Sequence, residues 1–169
     1  MAEAPSFIHA LYDAPFASAL RESEWTFPVV QTVHILGLLL FYGSIALVDL
    51  RILGVALKGK PARDVAGALL PIAWIDFAFM VASGSLLFAA QAEKIYSNVF
   101  LLSKFALMVL AGVNLVVFNT AGGRQIALWG AGEASAPSAL KVSAAVSFAL
   151  WSAVVIAGRF IAYFGSSAG

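Results

Sequence analysis

Four long stretches of the chain are almost wholly apolar, and its charges gather between them. A helix that crosses a bilayer needs about 20 mostly apolar residues. Segments at about 27–48, 67–90, 99–121 and 138–164 meet that requirement. The breaks between them carry turn formers and charge: Lys58-Gly-Lys-Pro-Ala-Arg63, then Gln91-Ala-Glu-Lys94, then a Gly/Ala/Ser-rich stretch with Arg124 and Glu133. The pattern predicts an all-α membrane protein, a four transmembrane helix bundle over residues 25–169, with no convincing internal repeat. Residues 1–24 form a separate interfacial segment. Phe7, Ile8, Leu11, Tyr12 and Phe16 recur there at roughly helical spacing, interrupted by Pro15. They predict a short amphipathic surface helix, or a helix and turn, on the outer leaflet or folded over the mouth of the bundle. This segment has no basic n-region, and Asp13, Arg21 and Glu22 break its apolar runs, so it does not read as a signal peptide.

Composition sharpens the class. Only 11% of the 169 residues are charged, against about a quarter in soluble domains. A net charge of +1 gives no basic footprint for nucleic acid. Without cysteine there is no disulfide framework, zinc–thiolate site or iron–sulfur cluster. Lysine and arginine bias sets orientation. Arg51, Lys58, Lys60 and Arg63 surround the first loop, Arg124 and Lys141 flank the third, and the opposite side offers mainly Arg21 and Lys94. Both termini are therefore expected outside the cytoplasm, with Trp25, Tyr96 and Tyr163 near one interface.

Ionisable residues inside apolar helices are costly and point to function. At 1.5 Å per residue, His34 lies roughly 10 Å below the outer start of the first span, and Lys104 and Arg159 roughly 8 Å below the outer ends of the third and fourth. Three helices thus bring charge or imidazole to one depth. Gln31 is one turn from His34, and Ser83, Gly84 and Ser85 are expected near that level. Lys104 and Arg159 are also long enough to snorkel to headgroups. Asp76, near mid-membrane, is read either as an interhelical bond to Ser143, Ser147 or Trp151, or as a proton relay. Asn114 is read as interhelical glue. Asp49 and Arg51 are read as a surface pair or an orientation signal, and His9 as solvated more readily than as a ligand. Gly37, Gly43, Gly84, Gly112 and Gly158 permit close approach between helices or to a flat ligand, and are compatible with a homo-oligomer.

A neutral imidazole is a good ligand for haem iron, and a four-helix bundle can hold a porphyrin. His34 is then the metal ligand. Lys104 is a second ligand only in its neutral form; otherwise it and Arg159 pair with the propionates. Copper is the rival, but Met80 and Met108 lie near the membrane centre, away from His34. No nucleophile elbow, phosphate loop or zincin motif is present.

The stretch His34-Ile-Leu-Gly-Leu-Leu-Leu-Phe-Tyr-Gly-Ser44, closing in Asp49-Leu-Arg51, resembles two families of small bacterial membrane proteins, the HemJ-type protoporphyrinogen oxidases and the CopD-type copper-resistance domain. Lys104-Phe-Ala-Leu-Met-Val-Leu-Ala111 is similar to the element of the HemJ type that carries a functional lysine. That resemblance implies b-type haem, with His34 as axial ligand and Lys104 as a second functional residue. The chain departs from it at Leu39 and Leu40, where the haem family carries a tryptophan, and at Phe118-Asn119, where a histidine is often found. The closing Trp151-Ser-Ala-Val-Val-Ile-Ala-Gly-Arg159-Phe-Ile-Ala-Tyr163 resembles a group of uncharacterised bacterial four-span proteins.

The expectation is a haem b protein of the bacterial inner membrane, with both termini periplasmic. It would transfer electrons to, or oxidise, a membrane-soluble small molecule such as a quinol or porphyrinogen. His34, Lys104, Arg159, Gln31 and Gly37 would hold the cofactor, and Lys104 and Asp76 would take part in the chemistry. The alternatives are a copper or small-solute permease or accessory factor, and a scaffold subunit without cofactor.

Overall fold

The computed structural model describes residues 4–121 and 136–164. Among them the chain forms α1 (Ser6–Tyr12), α2 (Pro15–Glu22), α3 (Thr26–Ile52), α4 (Ala62–Ile95), α5 (Val99–Thr120) and α6 (Ser138–Phe164). The stretch carrying Arg124 and Glu133 lies outside the described residues. Four helices, α3 to α6, are long and apolar enough to cross a membrane, so this is a helical membrane protein.

Local chemistry sets the boundaries. Pro15 opens α2 at its first position, where its missing N–H is no loss, and divides the N-terminal segment into two helices. Before α3, Ser23 Oγ accepts from the Thr26 amide and also donates to Thr26 Oγ1. Asn98 caps α5, its side-chain oxygen accepting from the amides of Phe100 and Leu101 at 2.8 and 3.3 Å. Gly54 takes φ +74° just beyond α3, a conformation that a side chain disfavours. The chain reverses there, the Val55 amide reaching back to the Leu50 carbonyl.

At 34 residues, α4 is about 51 Å long and exceeds a bilayer core of about 30 Å. Its far end, rich in alanine, is where the N-terminal hairpin docks. Ala89, Ala90 and Ala92 are buried, as are Ile8, Ala17 and Leu20 of the hairpin. Small residues let α1 and α2 lie close against the projecting helix. Arg21 braces the hairpin, donating to the Tyr12 carbonyl and Ser18 Oγ and lying over the Tyr12 ring. His9 pairs with Glu93 of α4.

The closely packed pairs are α3 with α4, α5 with α6, and α3 with α6, while α4 and α5 pack loosely. Gly37 lets α3 approach α4: a Cβ there would stand 3.2 Å from Met80 Sδ and from Phe79 Cδ1. An apolar cluster of Val48, Ile52, Val65, Ala66 and Ala144 fills the end beneath the α3–α4 loop. Polar bonds fasten α6 to its neighbours. Asn114 Nδ2 donates to the Ser143 carbonyl at 3.0 Å while Ser143 Oγ donates to Asn114 Oδ1 at 2.9 Å. Tyr42 Oη and Ser152 Oγ are 2.8 Å apart.

Two sequence expectations need correction. Asp49 is no surface partner of Arg51: it is 7% exposed, lies near Ser147 of α6 and keeps its Oδ2 buried without a hydrogen-bond partner among the described residues. Arg51 instead donates from Nε to the Lys60 carbonyl. Asp76 is not the residue that engages the α6 serines: Ser143 bonds Asn114, and Asp76 Oδ2 is buried without a hydrogen-bond partner among the described residues. Both readings assumed particular helix rotations, which packing decides.

Candidate functional site

The loose seam between α4 and α5 leaves a cavity of about 1850 Å³ in the half of the bundle nearest the N-terminal hairpin. All four long helices line it. Phe41, Phe77 and Trp151 form its floor. Phe41 contributes the shared ring: it meets Phe77 at 5.7 Å and Trp151 edge-on at 4.7 Å. Leu11, Tyr12 and Phe16 of the N-terminal hairpin roof the opposite end.

Antiparallel register brings the polar residues to one level. Gly37 lies against Met80 and Phe41 against Phe77, so three residues further up α3 His34 meets Ser83. His34 Nδ1 is 2.8 Å from Ser83 Oγ, and Ser83 Oγ donates to the Phe79 carbonyl at 2.8 Å. With its proton committed to Phe79, Ser83 Oγ accepts from the imidazole. That assigns the hydrogen to Nδ1 and leaves the Nε2 lone pair free to act as a ligand or base. Gly84 gives the ring its place: a Cβ there would stand 3.2 Å from His34 Cε1.

Lys104 reaches the same level from α5. Its stem crosses Gly158 of α6, where a Cβ would lie 3.8 Å from Nζ. It is within electrostatic reach of His34. Arg159, the next residue on α6, donates to Tyr163 Oη at 2.9 Å and lies over that ring. Gln31, His34, Lys104 and Arg159 all line the cavity. Gly37 and Asp76 are not among its lining residues. Gly37 is taken up by the α3–α4 contact, and Asp76 stands one residue from Phe77, with its Oδ2 buried and unpartnered. His9 is engaged by Glu93, which does line the cavity.

Sequence reasoning placed Ser83 and Gly84 near His34 in depth but did not assign the hydrogen bond. It missed the Phe41–Phe77–Trp151 floor and the part of Tyr163. The spacing of Arg159 and Tyr163, four residues apart and so on one helix face, was the available signal for the latter. Among the described residues no group of three His, Cys, Asp or Glu side chains could hold a metal ion by itself.

No curated protein and no solved structure matches this chain. Residues 25–164, spanning all four long helices and their cavity, match the family of unknown function DUF6644, and the chain belongs to that family.

Proposed function

We propose that this protein binds haem b in the cavity with His34 as axial ligand, and uses it for electron transfer with, or oxidation of, a membrane-soluble molecule such as a quinol or porphyrinogen. The observation that carries the reading is the His34–Ser83–Phe79 relay, which leaves a lone pair on Nε2 available at the level of Lys104 and Arg159. Outer hydrogen bonds of this kind fix the tautomer and orientation of metal-binding imidazoles.

The donor set fits a porphyrin better than a bare ion. A porphyrin brings four nitrogens of its own and needs only one or two from the protein, whereas among the described residues no three His, Cys, Asp or Glu side chains gather to hold a bare ion. Met80 and Met108, expected away from His34, line the same cavity and would be the thioether ligands of a copper site. A volume of about 1850 Å³ exceeds the roughly 300–1000 Å³ usual for small-molecule sites. Lys104 and Arg159 would face the propionates, Arg159 with a guanidinium suited to carboxylate. Once bound, haem would supply a one-electron couple in a water-poor site. The chain's own part is to hold it, fix its orientation through Ser83 and neutralise its carboxylates.

The resemblance to HemJ-type proteins supports this reading through His34 and Lys104. The CopD-type alternative, a copper or solute permease, draws on the same residues together with Met80 and Met108. Loop charge supports a bacterial inner-membrane orientation with both termini periplasmic, since Lys58, Lys60 and Arg63 lie together at the opposite end of the bundle from the cavity. Gly43 and Gly112 have no side chain from another element against them, so their faces would accept a second copy of the chain. The site itself needs none.

The test is a reduced-minus-oxidised optical spectrum of the purified protein beside His34→Ala. A Soret and α band present in the parent and lost in the variant supports the reading. A colourless protein at full haem supply refutes it; bound copper would then favour the permease, and no bound group the scaffold.

A further inference from the structure

Residues of the N-terminal hairpin line one end of the cavity, and exposed apolar residues line its flank. Leu11, Tyr12 and Phe16 line that end together with Glu93 and Lys94, and the hairpin is held by the His9–Glu93 pair and the Arg21 brace. Its flank is the seam between α4 and α5, which are less closely packed than α3 with α4, α5 with α6 or α3 with α6. Residues on both sides of that seam line the cavity and remain exposed, Leu86 at 42% on α4 and Phe105 at 48% on α5. These side chains belong at once to the cavity wall and to the lipid-facing surface.

We propose that the cavity opens sideways into the bilayer through the α4–α5 seam and takes a membrane-dissolved, oxygen-bearing ring compound of the quinone class. A lateral opening admits what already partitions into lipid. Aromatic side chains at the floor and Phe105 at the seam suit a flat ring better than a lone acyl chain. Gln31, which lines the cavity one turn from His34, supplies an N–H donor for a ring oxygen, and Lys104 and Arg159 supply further ones where no propionates occupy them. The volume leaves room for such a ring beside a cofactor on His34. This inference rests on the reading of a membrane-soluble substrate for the site, and not on the haem.

Trp151 in the floor is a built-in reporter. With the other three of the four tryptophans, Trp25, Trp74 and Trp129, changed to Phe, its fluorescence reports on the cavity alone. The protein in phosphatidylcholine vesicles is titrated with decylubiquinone, with acrylamide as the aqueous quencher and a brominated phosphatidylcholine as the lipid control. Ser85→Phe narrows the seam; Ser85 is exposed, lines the cavity and bonds only the Val81 carbonyl of its own helix. The expected result is saturable quenching by decylubiquinone, weakened about tenfold by Ser85→Phe, with little quenching by acrylamide. Acrylamide quenching as strong as that of a water-exposed tryptophan overturns the lateral opening. So does decylubiquinone quenching that Ser85→Phe leaves unchanged. Quenching by brominated lipid with no further effect of decylubiquinone overturns the quinone assignment, because acyl chains then fill the cavity. Saturable quenching in a protein that shows no haem spectrum would refute the haem reading and leave this one standing. Where a haem spectrum is present the titration is made on the haem-free protein, because bound haem itself quenches Trp151, and no quenching there would refute this inference and leave the haem reading standing.

Discussion

Replacing Ser83 by alanine removes one hydroxyl and tests the central hydrogen bond of the site. Ser83 is 5% exposed, so no bulk water replaces its oxygen. In the parent, His34 Nδ1–H gives its hydrogen to Ser83 Oγ across 2.8 Å, and Nε2 keeps its lone pair. In Ser83→Ala that N–H loses its acceptor. A buried donor left without a partner costs about 1–3 kcal/mol. The imidazole can escape this cost by turning or by moving its hydrogen to Nε2, and each route spoils it as a ligand. A factor of ten in affinity corresponds to about 1.4 kcal/mol, so the expected loss is roughly 10- to 100-fold, the range found when outer partners of metal-binding histidines are removed. The assay is a haemin titration of the apoprotein followed at the Soret band, with thermal unfolding of each variant to establish that it is folded. Ser85→Ala is the control. Ser85 Oγ donates to Val81 O at 2.8 Å, as Ser83 does to Phe79 O, but it forms no hydrogen bond with a histidine. Its affinity should match the parent. Equal affinity in Ser83→Ala and parent would refute the assignment of the tautomer, and an equal loss in Ser85→Ala would refute the specificity of the bond.

Three further outcomes are expected. Asn114→Ala and Ser143→Ala should each destabilise the bundle in a detergent unfolding titration, with a coupling of about 0.6–1.7 kcal/mol in the double-variant cycle; purely additive losses would show that the two bonds at 2.9 and 3.0 Å do not hold α5 to α6. Gly37→Leu should cost about 1–3 kcal/mol through overpacking, because even its Cβ would press on Met80 and Phe79 at 3.2 Å; unchanged stability would mean that α3 and α4 do not meet there. Arg21→Ala should speed amide exchange across residues 6–22 while leaving α5 and α6 as protected as before, since Arg21 ties Tyr12, Ser18 and the Tyr12 ring together; uniform protection would show that the hairpin needs no such brace.

Periodicity and length in the sequence determined the helical class, the four spans and much of the depth of the polar residues. That follows because a bilayer accepts only segments that satisfy their own backbone hydrogen bonds and bury apolar side chains over a fixed thickness. Rise per residue is constant in a helix, so the shared level of His34, Lys104 and Arg159 could be counted along the chain, and these residues do line one cavity. Rotation about each helix axis could not be counted. The long helices are apolar on nearly every face, and lipid is as good a solvent for leucine as a neighbouring helix is, so the pattern does not say which side turns inward. Tertiary packing alone decided that Asp49 lies near Ser147, that Gly37 serves the α3–α4 contact while Gly84 makes room for the His34 ring, and that Ser83 takes the hydrogen of Nδ1. It alone decided, too, that α4 and α5, adjacent in sequence and joined by a short turn, stay loosely packed with the cavity between them.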